Sequence, residues 1–373
     1  MYDFVLNFVA SGTGWLLCAE SILAGQAAPL AFSVMRFMGS KTVEQGASRD
    51  LVSSLATPPR SSWPSWQCDP WQAAQLGGEL YREVFREGVQ ELFRRALDEA
   101  RERRAGLRLL IKARQLQEIH EVPWELLHDG RRFLAHRLET PVVRYIEQPQ
   151  PVRRLQVGSP LRILFTTACP PGEAPLDLAA EERFIRSALA PLSNHVDLTV
   201  HQHISWERLR FCLLRAESEQ RPYHVWHHGG HGGLGEAMGH RDFRLALQDD
   251  SGARQAVSVT QLGPMLASCS GLRIAVLNVC HSGSSAGLAT MLANLNVPSV
   301  VGFRASIFDR SALVFADTFY TSLIERPVEE AVTLARVELQ HAGSGPLDWA
   351  QPLLFARTPT VQPLLATRDT RDR

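Results

Sequence analysis

The chain has 373 residues, 45% of them hydrophobic and 21% charged, a composition that buries a sizeable core and excludes a disordered, collagenous or disulfide-scaffold protein. Lys+Arg and Asp+Glu number 39 each, so no net positive field exists to hold a nucleic acid, and the length suits about two domains. Six scattered cysteines without a C-x-x-C pair argue against a zinc ribbon and for a reducing compartment.

The N-terminal residues are apolar, but the first cation is Arg36, and Asp3, Asn7 and Glu20 interrupt the run. A secretory signal needs positive charge ahead of its apolar core, and a membrane span needs about 20 apolar residues. A cytoplasmic protein without membrane contact is the expectation. Tyr2 to Val9 and Trp15 to Cys18 read as strands around the turn composition Ser11-Gly12-Thr13-Gly14. The proline-rich stretch Thr57–Pro70 carries Trp63 and Trp66 and reads as a packed surface loop or, because exposed tryptophan favours binding hot spots, as a partner contact. From Trp71 to Arg104, Leu80, Val84, Val89, Leu92, Phe93, Ala96 and Leu97 recur at helical steps between alternating charges. A faint tetratricopeptide-like start there has the wrong spacing and no second copy, which argues against a repeat array. Strands follow at Leu107–Ala113, around Trp124–Leu127 and at Val142–Ile146. The prolines and glycine between Gln148 and Pro160 then mark a boundary. The expected layout is an α+β half over residues 1–157, a second half over 158–358 and a polar tail over 359–373.

In the second half, strands at Leu161–Thr167, Val196–Val200, Tyr223–His228, Leu272–Leu277, Ser299–Val301 and Leu353–Ala356 alternate with helices. The helices are Leu178–Leu189, Trp206–Glu217, Val259–Ala267, Ala286–Leu295, Arg310–Ile324 (capped by Asp309) and Val328–Gln340, and Phe243–Leu247 suits a hairpin arm. Such alternation predicts an α/β fold, a mainly parallel sheet flanked by helices, with functional loops beyond the carboxyl ends of its strands.

Two of those ends carry chemistry. One reads His227-His228-Gly229-Gly230-His231-Gly232-Gly233, the other Asn278-Val279-Cys280-His281-Ser282-Gly283. A thiol leaving a buried strand beside glycines suits a nucleophile: glycine lets a substrate backbone approach, and an imidazole in reach generates the thiolate and later protonates the leaving amine. An inert buried thiol and structural histidines are the plain alternatives, residue by residue. Histidines 227, 228 and 231 lack metal-ligand spacing, and the glycines lack a phosphate-loop order, so neither a metal nor a nucleotide cofactor is expected.

In order, Tyr223–Gly232, Leu272–Gly283, the strand Val297–Gly302, Asp309…Phe315-Ala316…Phe319-Tyr320, Ala331…Ala335-Arg336 and Trp349…Phe355 resemble the CHAT domain family, caspase-like cysteine peptidases related to separase. Val122-Pro123-Trp124-Glu125-Leu126-Leu127 with Pro141-Val142-Val143-Arg144 extends the resemblance, which covers about residues 75–356. It implies a caspase–haemoglobinase-like fold and a Cys280–His231 dyad. Cys280 would attack the scissile carbonyl, His231 would serve as base and then acid, the amides of Gly232 and Cys280 would form the oxyanion hole, and no metal is needed. His281 follows the nucleophile and faces the other side. His228 reads as a core histidine or as an orienting neighbour of the dyad. Asn278 stands where related metacaspases carry a carboxylate for basic residues, so Asn278 and Asp309 are the substrate-binding candidates, with the loops Cys169–Asp177 and Phe303–Phe308 beside them. The resemblance further implies a protein substrate, a regulatory protein partner or self-association, and a role in regulated cleavage such as bacterial defence. The rival readings are a catalytically silent scaffold that binds a partner through the same cleft, and a metal-dependent hydrolase built on the histidines.

Overall fold

The computed structural model describes residues 1–11, 14–23, 26–27, 31–35, 69–113, 117–147, 160–237, 240–283, 288–295 and 297–357. The centre of the first turn, the loop with Trp63 and Trp66, the segment 148–159 and the tail 359–373 lie outside them. The chain divides into two compact units, Met1–Glu147 and Gln148–Arg373.

In the first unit β1 (Tyr2–Ser11) and β2 (Gly14–Leu23) form an antiparallel pair, and β3 (Gln26–Ala27) and β4 (Ala31–Met35) both pair with β2. On the other side β1 runs parallel to β5 (Leu107–Ala113), which runs parallel to β6 (Val142–Tyr145). The helical stretch is two helices, α1 (Pro70–Val84) and α2 (Glu87–Glu102), because the chain leaves helical geometry at Phe85 (φ −96°, ψ 67°). The three- and four-residue apolar rhythm runs on across the break, and Phe4, Phe85 and Phe93 close into one aromatic cluster.

The expected strand near Trp124–Leu127 is instead a 3-10 turn, Trp124–Leu126, that follows the short helix α3 (Gln117–Glu121). Its apolar side chains are buried like those of a strand, while the Trp124 indole donates to the Ile119 carbonyl at 2.7 Å. Glu125 is buried with them and takes the guanidinium fork of Arg144 from β6. The same fork donates to the carbonyls of His120 and Val122. A buried ion pair with this many hydrogen bonds offsets much of its desolvation cost.

The second unit carries β7 (Leu161–Ala168), β8 (Val196–His201), β9 (Val225–Ala237), β12 (Ile274–Asn278), β13 (Ser299–Phe303) and β14 (Pro352–Ala356), with β10 (His240–Gln248) and β11 (Arg254–Ser258) between β9 and β12 in sequence. The order is β8-β7-β9-β12-β13-β14, parallel except between β13 and β14. The glycines do not end β9; its second half runs on as an antiparallel ribbon with β10, and β10 with β11. The helices are α4 (Leu178–Leu189), α5 (Trp206–Ser218), α6 (Val259–Ala267), α7 (Leu288–Asn294), α8 (Asp309–Leu323) and α9 (Val328–Ala342). This is the mixed, mostly parallel sheet flanked by helices that the alternation predicts. The cap of α8 is Phe308, without a side-chain hydrogen bond, and Asp309 sits in the first turn instead of capping it. The buried strands are runs of Val, Ile, Leu and Phe because both faces are covered.

Candidate active site

The sheet register builds the site. Ala168 of β7 pairs with Gly230 of β9, and Gly229 pairs with Asn278 of β12. Past the rung of Thr167, Gly229 and Asn278, His231 continues along β9, while Cys169 and Cys280 stand just beyond the last residues of the neighbouring strands β7 and β12. Side chains two apart along a strand share a face, so His231 lies on the same face of β9 as Gly229.

On that face β7 leads through residues 169–177 into α4. The loop reaches back over His231: the carbonyl of Ala174 accepts from His231 Nε2 at 2.7 Å and from the Cys169 thiol at 3.4 Å. A carbonyl oxygen only accepts, so His231 carries its hydrogen on Nε2, and the lone pair of the neutral ring is on Nδ1. Three contacts hold the loop. Glu173 pairs with Arg254 of β11 at 2.8 Å, the Asp177 amide donates to Asp309 Oδ2 at 3.2 Å, and the Asp177 carboxylate caps α4 through Ala180 N at 2.9 Å. Neither Ala174 nor Glu173 has a signature in the sequence.

The turn that carries Cys280 is pinned from below. The Ser282 hydroxyl, fully buried, donates to the Leu277 carbonyl at 3.0 Å and accepts from Phe303 N at 2.9 Å. His281 takes φ 58°, a left-handed conformation in which the chain turns sharply just after the nucleophile candidate. Its ring lies 3.4 Å from the Ser306 hydroxyl. Cys280 and His231 are both half-buried. Gly232 has no room for a side chain: a Cβ there would sit 2.7 Å from Val279 Cγ1 and 2.8 Å from Phe243 Cζ.

Asn278 is buried, and its amide donates to Glu181 Oε1 of α4, which also accepts from His227 Nε2 at 3.0 Å. Asp309 is occupied by the Asp177 amide, as above. His228 is a core residue: Nδ1 lies 3.0 Å from the Thr166 hydroxyl, and burial pushes the ring down to about 3, so it stays neutral. The histidine run therefore serves four different partners, Glu181 and Tyr320 for 227, Thr166 for 228 and Ala174 for 231. Among the described residues no group of three or more His, Cys, Asp or Glu is placed to hold a metal. No helix there is long and apolar enough to cross a membrane.

Five free thiols are described. Burial raises Cys18, Cys212 (against the opposing pull of Arg208 and Arg215) and Cys269, the last to about 12.

A model of the CHAT domain matches residues 74–357. No curated protein matches the chain. Similar solved structures include the separase–securin complex of Saccharomyces cerevisiae, at 15% identity and a TM-score of 0.40, over 74% of this chain and 18% of that one. The Drosophila initiator caspase Dronc is similar at 6% identity and a TM-score of 0.35, over 56% of this chain and 93% of that one.

Proposed function

We propose, on the premise that the chain belongs to the CHAT domain family, that it is a cysteine endopeptidase working through Cys280 and His231. The observation that carries this reading is that His231 stands on β9 and Cys280 just past the end of the neighbouring strand β12, with the Ala174 carbonyl holding the hydrogen of His231 on Nε2. Nδ1 is then the nitrogen that takes the Cys280 proton. The thiolate sulfur bonds to the scissile carbonyl carbon, and the amides of Gly232 and Cys280 hold the negative oxygen. His231 returns the proton to the amine as the C–N bond breaks. Water, activated by the same imidazole, hydrolyses the thioester and regenerates the thiol. Asn278 and Asp309 shape the site through Glu181 and the 169–177 loop. The substrate in this reading is a protein, cleaved in a regulated pathway under a partner protein or self-association.

Competitive labelling of all six cysteines with iodoacetamide, mapped by peptide mass spectrometry, tests it. Cys280 is expected to alkylate at least about tenfold faster than Cys18, Cys212 and Cys269, and His231→Ala to remove that advantage in a folded protein. A Cys280 no faster than those three removes the enzyme reading and leaves the partner-binding scaffold.

A further inference from the structure

Beneath the dyad lies a chain of buried polar side chains that the chemistry above does not use. Tyr320 of α8 and His227 of β9 are fully buried, Glu181 is 2% exposed and Asn278 8%. The Tyr320 ring stacks on His227 at 5.6 Å, with Phe165 edge-on at 5.0 Å. The phenol lies 3.0 Å from His227 Nδ1. Burial and the neighbouring Glu181 keep that phenol protonated, so it donates to Nδ1, and His227 presents Nε2–H to Glu181 Oε1. That same oxygen accepts from Asn278. The other oxygen packs against Gly229 so closely that a Cβ there would lie 2.4 Å from it.

Two members of this chain stand on the strands that lead to the dyad. His227 precedes His231 by four residues, two strand repeats, and Asn278 stands two residues before Cys280. The Gly229–Asn278 rung is the last shared by β9 and β12. Beyond it β9 continues with β10, while β12 turns away at Cys280. Nothing in the main-chain ladder fixes the separation of the two strands past that rung. A single oxygen of Glu181, hydrogen-bonded to His227 of β9 and Asn278 of β12, ties side chains of the two strands together at the end of that ladder.

We propose that Glu181 is a positioning residue for the dyad, held in place by Tyr320 and His227 and clamping the strand ends that present His231 and Cys280. This rests on the dyad reading. A misplacement of about 1 Å at reacting groups costs on the order of a hundredfold in rate, so a loosened clamp is expected to be visible as lost nucleophile activation.

The test is the pH profile of Cys280 alkylation by iodoacetamide in the full chain, with the melting temperature measured alongside. Glu181→Gln is expected to lower the plateau rate by about tenfold or more and to move the midpoint of the profile. Gly229→Ala, which drives the carboxylate aside without touching its charge, is expected to do the same. Tyr320→Phe keeps the ring and removes only the donor, so it is expected to give a smaller loss, about threefold. It also covers the case in which Glu181→Gln does not fold. Variants that melt earlier but keep the wild-type profile overturn the proposal and leave the chain a purely structural network. A wild-type Cys280 that is unreactive overturns the dyad itself and this inference with it.

Discussion

At the scale of single residues the site depends on space as much as on reactive groups. Gly232 follows His231 and faces Val279, the residue before Cys280, so the two strand ends touch where a side chain would otherwise stand. Gly232→Ala places a Cβ 2.7 Å from Val279 Cγ1 and 3.0 Å from the Arg244 carbonyl, and a carbonyl within a ladder cannot yield. The expected cost is about 1–3 kcal/mol of stability, with a fall in Cys280 alkylation larger than the lost stability explains, because the displaced strands are those that align the dyad. Urea unfolding alongside alkylation of the folded fraction checks it; a variant as stable and as reactive as wild type removes the crowding argument. The sequence singles out Cys280 and His231 because each follows a buried apolar strand, His231 between two glycines and Cys280 three residues before Gly283. Glu181 is not singled out, since within LAAEERFIRSAL it has the look of one more charge on an amphipathic helix. Only the fold shows that it points inward.

At the scale of elements, the alternation of apolar runs and amphipathic helices predicts the second unit closely, and its misses have physical causes. The helix of residues 71–104 keeps its apolar rhythm across the break at Phe85, so periodicity alone cannot reveal two helices. β11 is polar (RQAVS) and only partly buried, so it carries no strand signal. The 3-10 turn at Trp124–Leu126 was read as a strand because a short buried apolar run looks alike in either form. What holds that turn is Glu125, whose two oxygens meet Arg144 of β6, both side chains fully buried. Glu125→Leu leaves a guanidinium buried without its carboxylate, and is expected to destabilise the first unit by about 3–5 kcal/mol. Arg144→Met combined with Glu125→Leu removes both charges and is expected to recover most of that loss. Chemical denaturation of the two variants decides it, and a double variant no better than the single one would show that the fork's bonds to the His120 and Val122 carbonyls matter more.

At the scale of the whole molecule, the buried His120 and His228 and the half-buried His224 tie stability to pH. Burial lowers His120 of the first unit to about 4, aided by Arg144, and His224 of the second to about 4, aided by Arg162 and Arg273. Burial lowers His228 to about 3, aided by His227. An unfolded histidine titrates near 6.5, so between that value and these lower ones the unfolded chain holds protons that the folded chain lacks. Stability therefore rises with pH in this window. Its contribution is complete above about 6.5 and is lost as the pH falls toward the folded values, with about one proton taken up on unfolding for each histidine by pH 5. Urea midpoints at pH 7.5, 6.5 and 5.5 are expected to fall in that order, with the steeper fall in the second unit because it holds two of the three groups. Below pH 5 carboxylates join in, and Asp3, raised by burial, works in the opposite sense. Replacing His228 by a neutral residue that keeps the contact with Thr166, as in His228→Asn, is expected to flatten the second unit's slope by about one proton. Midpoints that stay level between pH 7.5 and 5.5 would mean that these rings are protonated in the folded chain. In that case the packing of His228 against Thr166 and Trp226 would have to open on acidification.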